Sequence, residues 1–261
     1  RDVLGSRGLG DVYKRQATVK VGDGKEITLH EETNYPFEEA IAFTVSTDEK
    51  VAFPFYLRIP SWTQKAEVWV NGKKVSVTPV AGKYLCINRE WANGDRVELT
   101  LPMSLSMRTW QVNKNSVSVD YGPLTLSLKI AEKYVEKDSR ETAIGDSKWQ
   151  KGADSKKWPT TEIYPDSPWN YSLVLDKKEP LKNFKVIRKS WPADNYPFTV
   201  ASVPLEVKAI GRPVPEWKID ETGLCGVLPE EDAVKGDKEE ITLIPMGAAR
   251  LRISAFPNTK E

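Results

Sequence analysis

Imidazole and thiol groups, the side chains best suited to a zinc site or a thiolate nucleophile, are scarce: one histidine, His30, and two cysteines, Cys86 and Cys225. A helical metalloprotease site needs a second histidine four residues after the first, and position 34 is Asn. A Ser–His–Asp triad would have to take His30 as its base, and no Gly-x-Ser-x-Gly elbow accompanies it. Zinc ligands tend to come in short paired spacings, which His30, Cys86 and Cys225 lack. Both cysteines sit between apolar neighbours, in Leu85-Cys86-Ile87 and Leu224-Cys225-Gly226, which predicts buried free thiols.

Hydrolysis of a glycosidic bond ordinarily uses two carboxyl groups facing one another across the bond. The carboxylates of Glu31-Glu32, Glu38-Glu39 and Glu230-Glu231-Asp232 are adjacent in sequence. On a strand, adjacent side chains point to opposite faces, so adjacency predicts solvated charge and not an acid–base pair. The aromatic residues Trp149, Trp158, Trp169, Tyr171 and Trp191 stand among Asp, Asn and Lys. Flat rings beside polar groups suit contact with the apolar face of a sugar, and equally suit packing against a neighbouring domain. Asn170-Tyr-Ser172 matches the glycosylation pattern, a match common by chance.

These residues must be positioned by an all-β chain. Strand candidates with period-two alternation recur, among them Ala40–Ser46, Val51–Ile59, Tyr84–Ile87, Arg96–Leu101, Ser116–Tyr121 and Leu205–Ala209. Asn71-Gly72 between Ala66–Val70 and Lys73–Val77 predicts a tight hairpin, because Asn-Gly supplies the positive φ angles of a two-residue turn. Pro54 lacks an N–H, which puts its strand at an edge or at a bulge. Residues 131–170 are polar and carry Trp149, Trp158 and Trp169. So long a segment either forms short irregular strands or lies across a neighbouring surface. Ile241–Ile244 and Ala249–Ser254 close the series, and no long run has helical periodicity.

The pattern predicts antiparallel β-sandwiches, two packed jelly-roll-like domains. The first spans 17–128 and the second 129–240. Residues 241–261 form terminal strands able to return to the first sandwich. Residues 1–16 match neither pattern; they resemble a recurrent spurious start in chains translated from metagenomic assemblies, and are set apart from the fold.

Composition narrows the function classes. Lys and Arg total 38 against 37 Asp and Glu, a net charge of +1. Such balance argues against a nucleic-acid partner or an anionic membrane surface. No run approaches the roughly 18 apolar residues of a membrane span.

Several motifs occur in a telling order: Glu32-Thr-Asn-Tyr-Pro-Phe-Glu38, Leu57-Arg-Ile-Pro-Ser-Trp62, Asn71-Gly72, Asn88-Arg-Glu-Trp91 and Gly94-Asp95. Tyr121-Gly-Pro-Leu124, Pro168-Trp-Asn-Tyr171, Trp191-Pro-Ala-Asp194, Pro215-Glu-Trp217 and the ending Leu243–Pro257 follow. This series resembles the region after the catalytic barrel in β-L-arabinofuranosidase-like enzymes, glycoside hydrolase family 127 and its relatives. The resemblance implies that catalysis belongs to an upstream helical barrel with a zinc-held cysteine nucleophile, which this sequence does not contain. It therefore implies no catalytic residue, metal ligand or cofactor in this chain. It makes the missing barrel of the same polypeptide the first partner, and plant-type arabinose-containing glycans the second. It points to a bacterial source and leaves the compartment open between periplasmic or secreted and cytoplasmic. The alternative is a stand-alone carbohydrate-binding module using its exposed tryptophans.

Overall fold

The computed structural model describes residues 14–139, 154, 156–221 and 223–261. Among these residues the elements are strands and turns with almost no helix, a short 3₁₀ turn at Met246–Ala248 included, and the fold is all-β. It divides into two compact units. One takes in the chain up to Met107 together with Val119–Thr125 and Ser190–Tyr196; the other takes in Arg108–Ser118, Leu126–Lys189 and Pro197–Glu261.

In the first unit the strands are β1 (Lys14–Val21), β2 (Lys25–Thr33), β3 (Ala40–Ser46), β4 (Val51–Arg58), β5 (Glu67–Val70), β6 (Lys73–Lys74), β7 (Tyr84–Trp91) and β8 (Arg96–Thr100). Six form an antiparallel sheet in the order β1-β2-β3-β8-β5-β6, and β4 pairs with β7 in a second. Lys14–Gln16 fall inside the run set apart on sequence, yet they continue β1 and pair with β2 as far as Gln16↔His30.

Alternation explains how the two sheets share one core. In β4, Val51, Phe53, Phe55 and Leu57 are buried while Ala52, Pro54, Tyr56 and Arg58 are exposed. Pro54 therefore occupies an outward position on a strand with one partner, where its missing N–H leaves no ladder bond broken. Trp91 is fully buried against the Phe53 and Phe55 rings, each 5.6 Å away. Its indole N–H donates to the Phe53 carbonyl at 2.9 Å, so the one polar atom of the ring is satisfied inside the core.

Two turns meet beside this core. Asn71 (φ 50°) and Gly72 (φ 74°) make the tight β5–β6 turn that Asn-Gly predicts. The Asn71 amide donates to Asp95 Oδ1 at 2.7 Å, and its carbonyl oxygen accepts the Arg96 backbone N–H at 2.8 Å. Asp95 Oδ2 accepts the Ala92 N–H at 2.9 Å and lies 3.3 Å from the Arg89 guanidinium. Burial alone would push the Asp95 carboxyl up. The bonds from Ala92 and Asn71, with the Arg89 charge, outweigh it and hold the carboxyl below its ordinary value.

Strands β9 (Leu105–Trp110), β10 (Ser116–Tyr121) and β11 (Leu124–Leu128) have residues assigned to each unit. At the β10–β11 turn Gly122 has φ +55°, and a Cβ there would meet Met103 Cγ at 2.6 Å, so only glycine fits. The second unit adds β12 (Glu132–Lys137), β13 (Thr160–Pro165), β14 (Tyr171–Leu175), β15 (Lys185–Arg188), β16 (Leu205–Pro213), β17 (Glu239–Pro245) and β18 (Asn258–Lys260). Its large sheet runs β18-β14-β16-β17-β11-β10-β9, with β15 also paired to β16. Between β16 and β18, β14 is buried at all five positions, which is why Tyr-Ser-Leu-Val-Leu does not alternate. The β14–β18 pairing is parallel, a departure from the antiparallel expectation.

Three further expectations change. The partner of β5 ends at Lys74; Val75 N–H still bonds to Val68, but Val77 is exposed and has no core to face. Ala249–Ser254 is not a strand. It follows the 3₁₀ turn and offers isolated carbonyls instead, Ile253 to the Leu128 N–H and Ser127 hydroxyl, and Ser254 to the Ser118 hydroxyl. Within 131–170, β12 and β13 form a regular antiparallel pair from Glu132↔Pro165 to Lys137↔Thr160.

Trp91→Phe removes the donor to Phe53 and leaves a void, so it should lower the unfolding free energy by about 2–4 kcal/mol. Urea unfolding at unchanged slope checks this, and an unshifted midpoint would contradict it. Asp95→Asn keeps the shape but loses the charge, at a cost of about 1.5–3 kcal/mol. Asp95 holds a folded-state pKa below its ordinary 3.8. Its contribution is therefore complete above that value and lost as pH falls below it. The gap between wild type and Asp95→Asn should be constant from pH 5 to 7, by about ±0.3 kcal/mol. It should close in acid; a gap unchanged below the ordinary value would refute the charge's role.

Candidate functional site

The register of the six-stranded sheet collects side chains on its outer face. Directly opposed residues run Glu32 (β2)↔Ala42 (β3)↔Glu98 (β8)↔Trp69 (β5)↔Lys74 (β6). Because side chains alternate along a strand, Ala40 and Thr100 share this face on one flank, and Thr44 and Arg96 on the other. The facing positions Ile41, Phe43, Val45, Val97, Leu99 and Val68 belong to the core.

On this outer face lies a cleft of about 610 Å³, within the range of small-molecule sites. Ala40 and Ala42 supply small side chains along it, and Trp69, Glu32, Glu38, Asn34 and Asn195 are among its other lining residues. Arg96 is oriented from two sides: Nη1 donates to Glu32 at 3.2 Å and Nε to Glu98 at 3.2 Å. The Glu98 and Glu32 bonds push the guanidinium above its already high ordinary pKa, so it is a fixed cation. Elsewhere on this sheet, Lys74 Nζ bonds Glu67 at 2.6 Å and, with a further bond from Trp69, holds the Glu67 carboxyl below its ordinary value.

Adjacent carboxylates diverge here. Glu38 lines the cleft while Glu39 accepts the Met103 N–H at 2.9 Å. Glu32 is on the cleft face, and Glu31 is opposite the core residue Phe43.

The sequence-selected aromatics fall in different places. Trp149 lies outside the described residues. Trp158 is 71% exposed. Trp169 packs edge-on to Trp217 at 5.2 Å and lines a mainly apolar hollow of about 320 Å³ with Ile163, Leu224 and Ile253. Tyr171 is buried at the start of β14; burial first, then a bond to Glu239, pushes its hydroxyl up to about 12. Trp191 belongs to the first unit, packs edge-on to Phe37 at 5.9 Å and donates its indole N–H to Asn195 Oδ1 at 2.6 Å. It thus orients a residue of the cleft. Trp69, Arg96, Glu98 and Asn195 escaped sequence reasoning because they meet only through the β3-β8-β5 strand order and an inserted segment.

The thiols need correction. Cys86 is partly buried and Cys225 is exposed. Cys225 lies on a single bridge to Ile219, in a turn-rich stretch where Leu224 is itself 66% exposed, so apolar neighbours did not bring burial. The donor set does not fit a zinc–thiolate centre: among the described residues no three His, Cys, Asp or Glu converge. Asn170 is no free acceptor for a glycan either, since its amide donates to the Val214 and Trp217 carbonyls.

Residues 13–103 match the family model described as Beta-L-arabinofuranosidase, GH127 middle domain. Solved structures of the same fold include a glycoside hydrolase, 22% identical with a TM-score of 0.60, where the match covers 95% of this chain and 35% of that one. The GH127 beta-L-arabinofuranosidase of Geobacillus stearothermophilus T6 is 22% identical with a TM-score of 0.58, covering 94% of this chain and 32% of that one. Another GH127 beta-arabinofuranosidase is 22% identical with a TM-score of 0.59, covering 95% and 34%. No curated protein matches the chain at a significant level. The chain thus spans about a third of the length of these structures.

Proposed function

We propose that the chain, whose residues 13–103 match the GH127 middle-domain model, is the non-catalytic β-sandwich portion of a bacterial β-L-arabinofuranosidase-like hydrolase. Its task is to support a catalytic part of the same polypeptide, which would act on arabinose-containing glycans. The observation that carries this reading is the pairing of the family match with a fold that covers a third of the length of such enzymes. Local chemistry supports it. Glycosidases place two carboxyl groups about 5–10 Å apart with one kept protonated as the acid. On the cleft face the carboxylates of Glu32 and Glu98 are both taken up by the Arg96 guanidinium, at 3.2 Å each, and not by one another across an open gap. One of the structures of the same fold comes from a bacterium, Geobacillus stearothermophilus T6.

The test is hydrolysis. Purified chain, with and without added zinc, should release no L-arabinose from a chromogenic β-L-arabinofuranoside above the protein-free rate. The intact Geobacillus enzyme serves as the positive control. Release that scales with the concentration of this chain would sink the proposal. Sequencing the source DNA upstream of the codon for Lys14 should reveal an in-frame helical-barrel sequence, and a stop codon immediately upstream would count against the supporting role.

A further inference from the structure

We infer that the outer-face cleft of the first unit is a binding subsite for a neutral saccharide of about two sugar units. This goes beyond the supporting role and does not rest on it, since the cleft's chemistry is complete within one unit.

Dimensions come first. Glu32, Ala42, Glu98 and Trp69 stand on four successive strands. Three inter-strand spacings of about 4.8 Å give a trough roughly 14 Å across, the span of a disaccharide. Its floor is lowered by Ala40 and Ala42. Alanine is depleted in strands, and outward positions of a sheet favour Thr, Tyr or Val. Two alanines side by side on β3 give up cross-strand contacts and leave a space with Trp69 among its lining residues.

The lining then selects the ligand. Trp69 offers a flat apolar surface for the C–H face of a sugar ring. Arg96, held by Glu32 and Glu98, presents planar polar groups in fixed orientation, which suits vicinal hydroxyls. Asn195 has φ 55°, an uncommon conformation for a non-glycine residue. An indole N–H can only donate, so the bond from Trp191 fixes the Asn195 oxygen toward that ring and sets the orientation of this side chain at the cleft. Asn34 adds a second amide.

Charge excludes the main competitor. Glu32, Glu38 and Glu98 against Arg96 leave two negative charges in excess, which repels phosphates and uronates. With two of the three carboxylates already engaged by Arg96, a hydroxyl-rich neutral ligand fits better than a cation.

The test uses the full chain, ¹⁵N-labelled, with its nine tryptophan indole N–H signals observed by NMR. It is titrated with arabino-oligosaccharides, with cello-oligosaccharides and, as a cationic control, with putrescine. One indole signal should shift saturably with at least one saccharide series, and that signal should be missing from Trp69→Ala. Affinity should fall about tenfold or more in Trp69→Ala, the loss of one stacked ring. It should fall similarly in Ala42→Leu, which fills the floor while keeping every polar group. Trp158→Ala should bind as wild type. Melting curves identify a variant that fails to fold, in which case Ala42→Leu decides. The inference is overturned by no saturable shift with either saccharide series. It is equally overturned by binding that survives both cleft variants, by binding lost in Trp158→Ala, or by a response to putrescine alone. Because binding is read without catalysis, these outcomes are independent of the hydrolysis assay.

Discussion

The first unit depends on the meeting of two turns through Asn71 and Asp95. One amide and one carboxylate tie the β5–β6 hairpin to the segment between β7 and β8, and each spends both of its polar ends doing so. The Asn71 carbonyl oxygen takes the backbone N–H of Arg96, the first residue of β8. β8 is the strand that links β3 to β5 in the six-stranded sheet. A register slip of one residue there would exchange the faces of Arg96 and Glu98 with those of Val97 and Leu99. The network therefore sets which side chains form the core and which form the cleft.

The core answers the same constraint from the other side. Trp91 closes β7, three residues before the turn carrying Gly94 and Asp95, and its indole bonds to the carbonyl of Phe53 on β4. The buried ring fixes the end of the small sheet, and the polar turn fixes the start of β8. Between them the chain has little freedom to reposition its outer face. A binding surface built on such strands needs no ordering step when a ligand arrives, which favours affinity from few contacts.

Much of this was legible in local sequence, and the limit of legibility is physical. Alternation in Val51–Arg58 and the Asn71-Gly72 turn are local properties, and both appear in the structure. The GH127 resemblance was carried by ordered motifs read along one chain, and residues 13–103 match the GH127 middle-domain model. Strand order is not local. Trp69 and Glu98 are far apart in sequence, and nothing in either segment says that β8 lies beside β5. The aromatic residues were grouped because they are close in sequence, yet Ser190–Tyr196 belongs to the first unit while Trp158, Trp169 and Tyr171 belong to the second. Cys225 failed differently: its apolar neighbours were read as a core signal, whereas a turn-rich stretch leaves such side chains in water.

Ala40 and Ala42 are where local preference and global fold disagree most plainly in the first unit. Every other demand on β3 is met: Ile41, Phe43 and Val45 face the core, and Thr44 is a good strand former on the outer face. Substituting larger β-branched residues for the alanines would add contacts with Glu32, Glu98 and Thr100 across the ladder. Natural sequences that forgo an available gain of this kind tend to do so where a site needs the space. A surface meant only to be solvated has no use for a trough, and one meant to be covered by packing gains from apolar bulk. The alanines, the clamped arginine and the tryptophan together fit a third role, in which the sheet's outer face yields some stability in exchange for a shape.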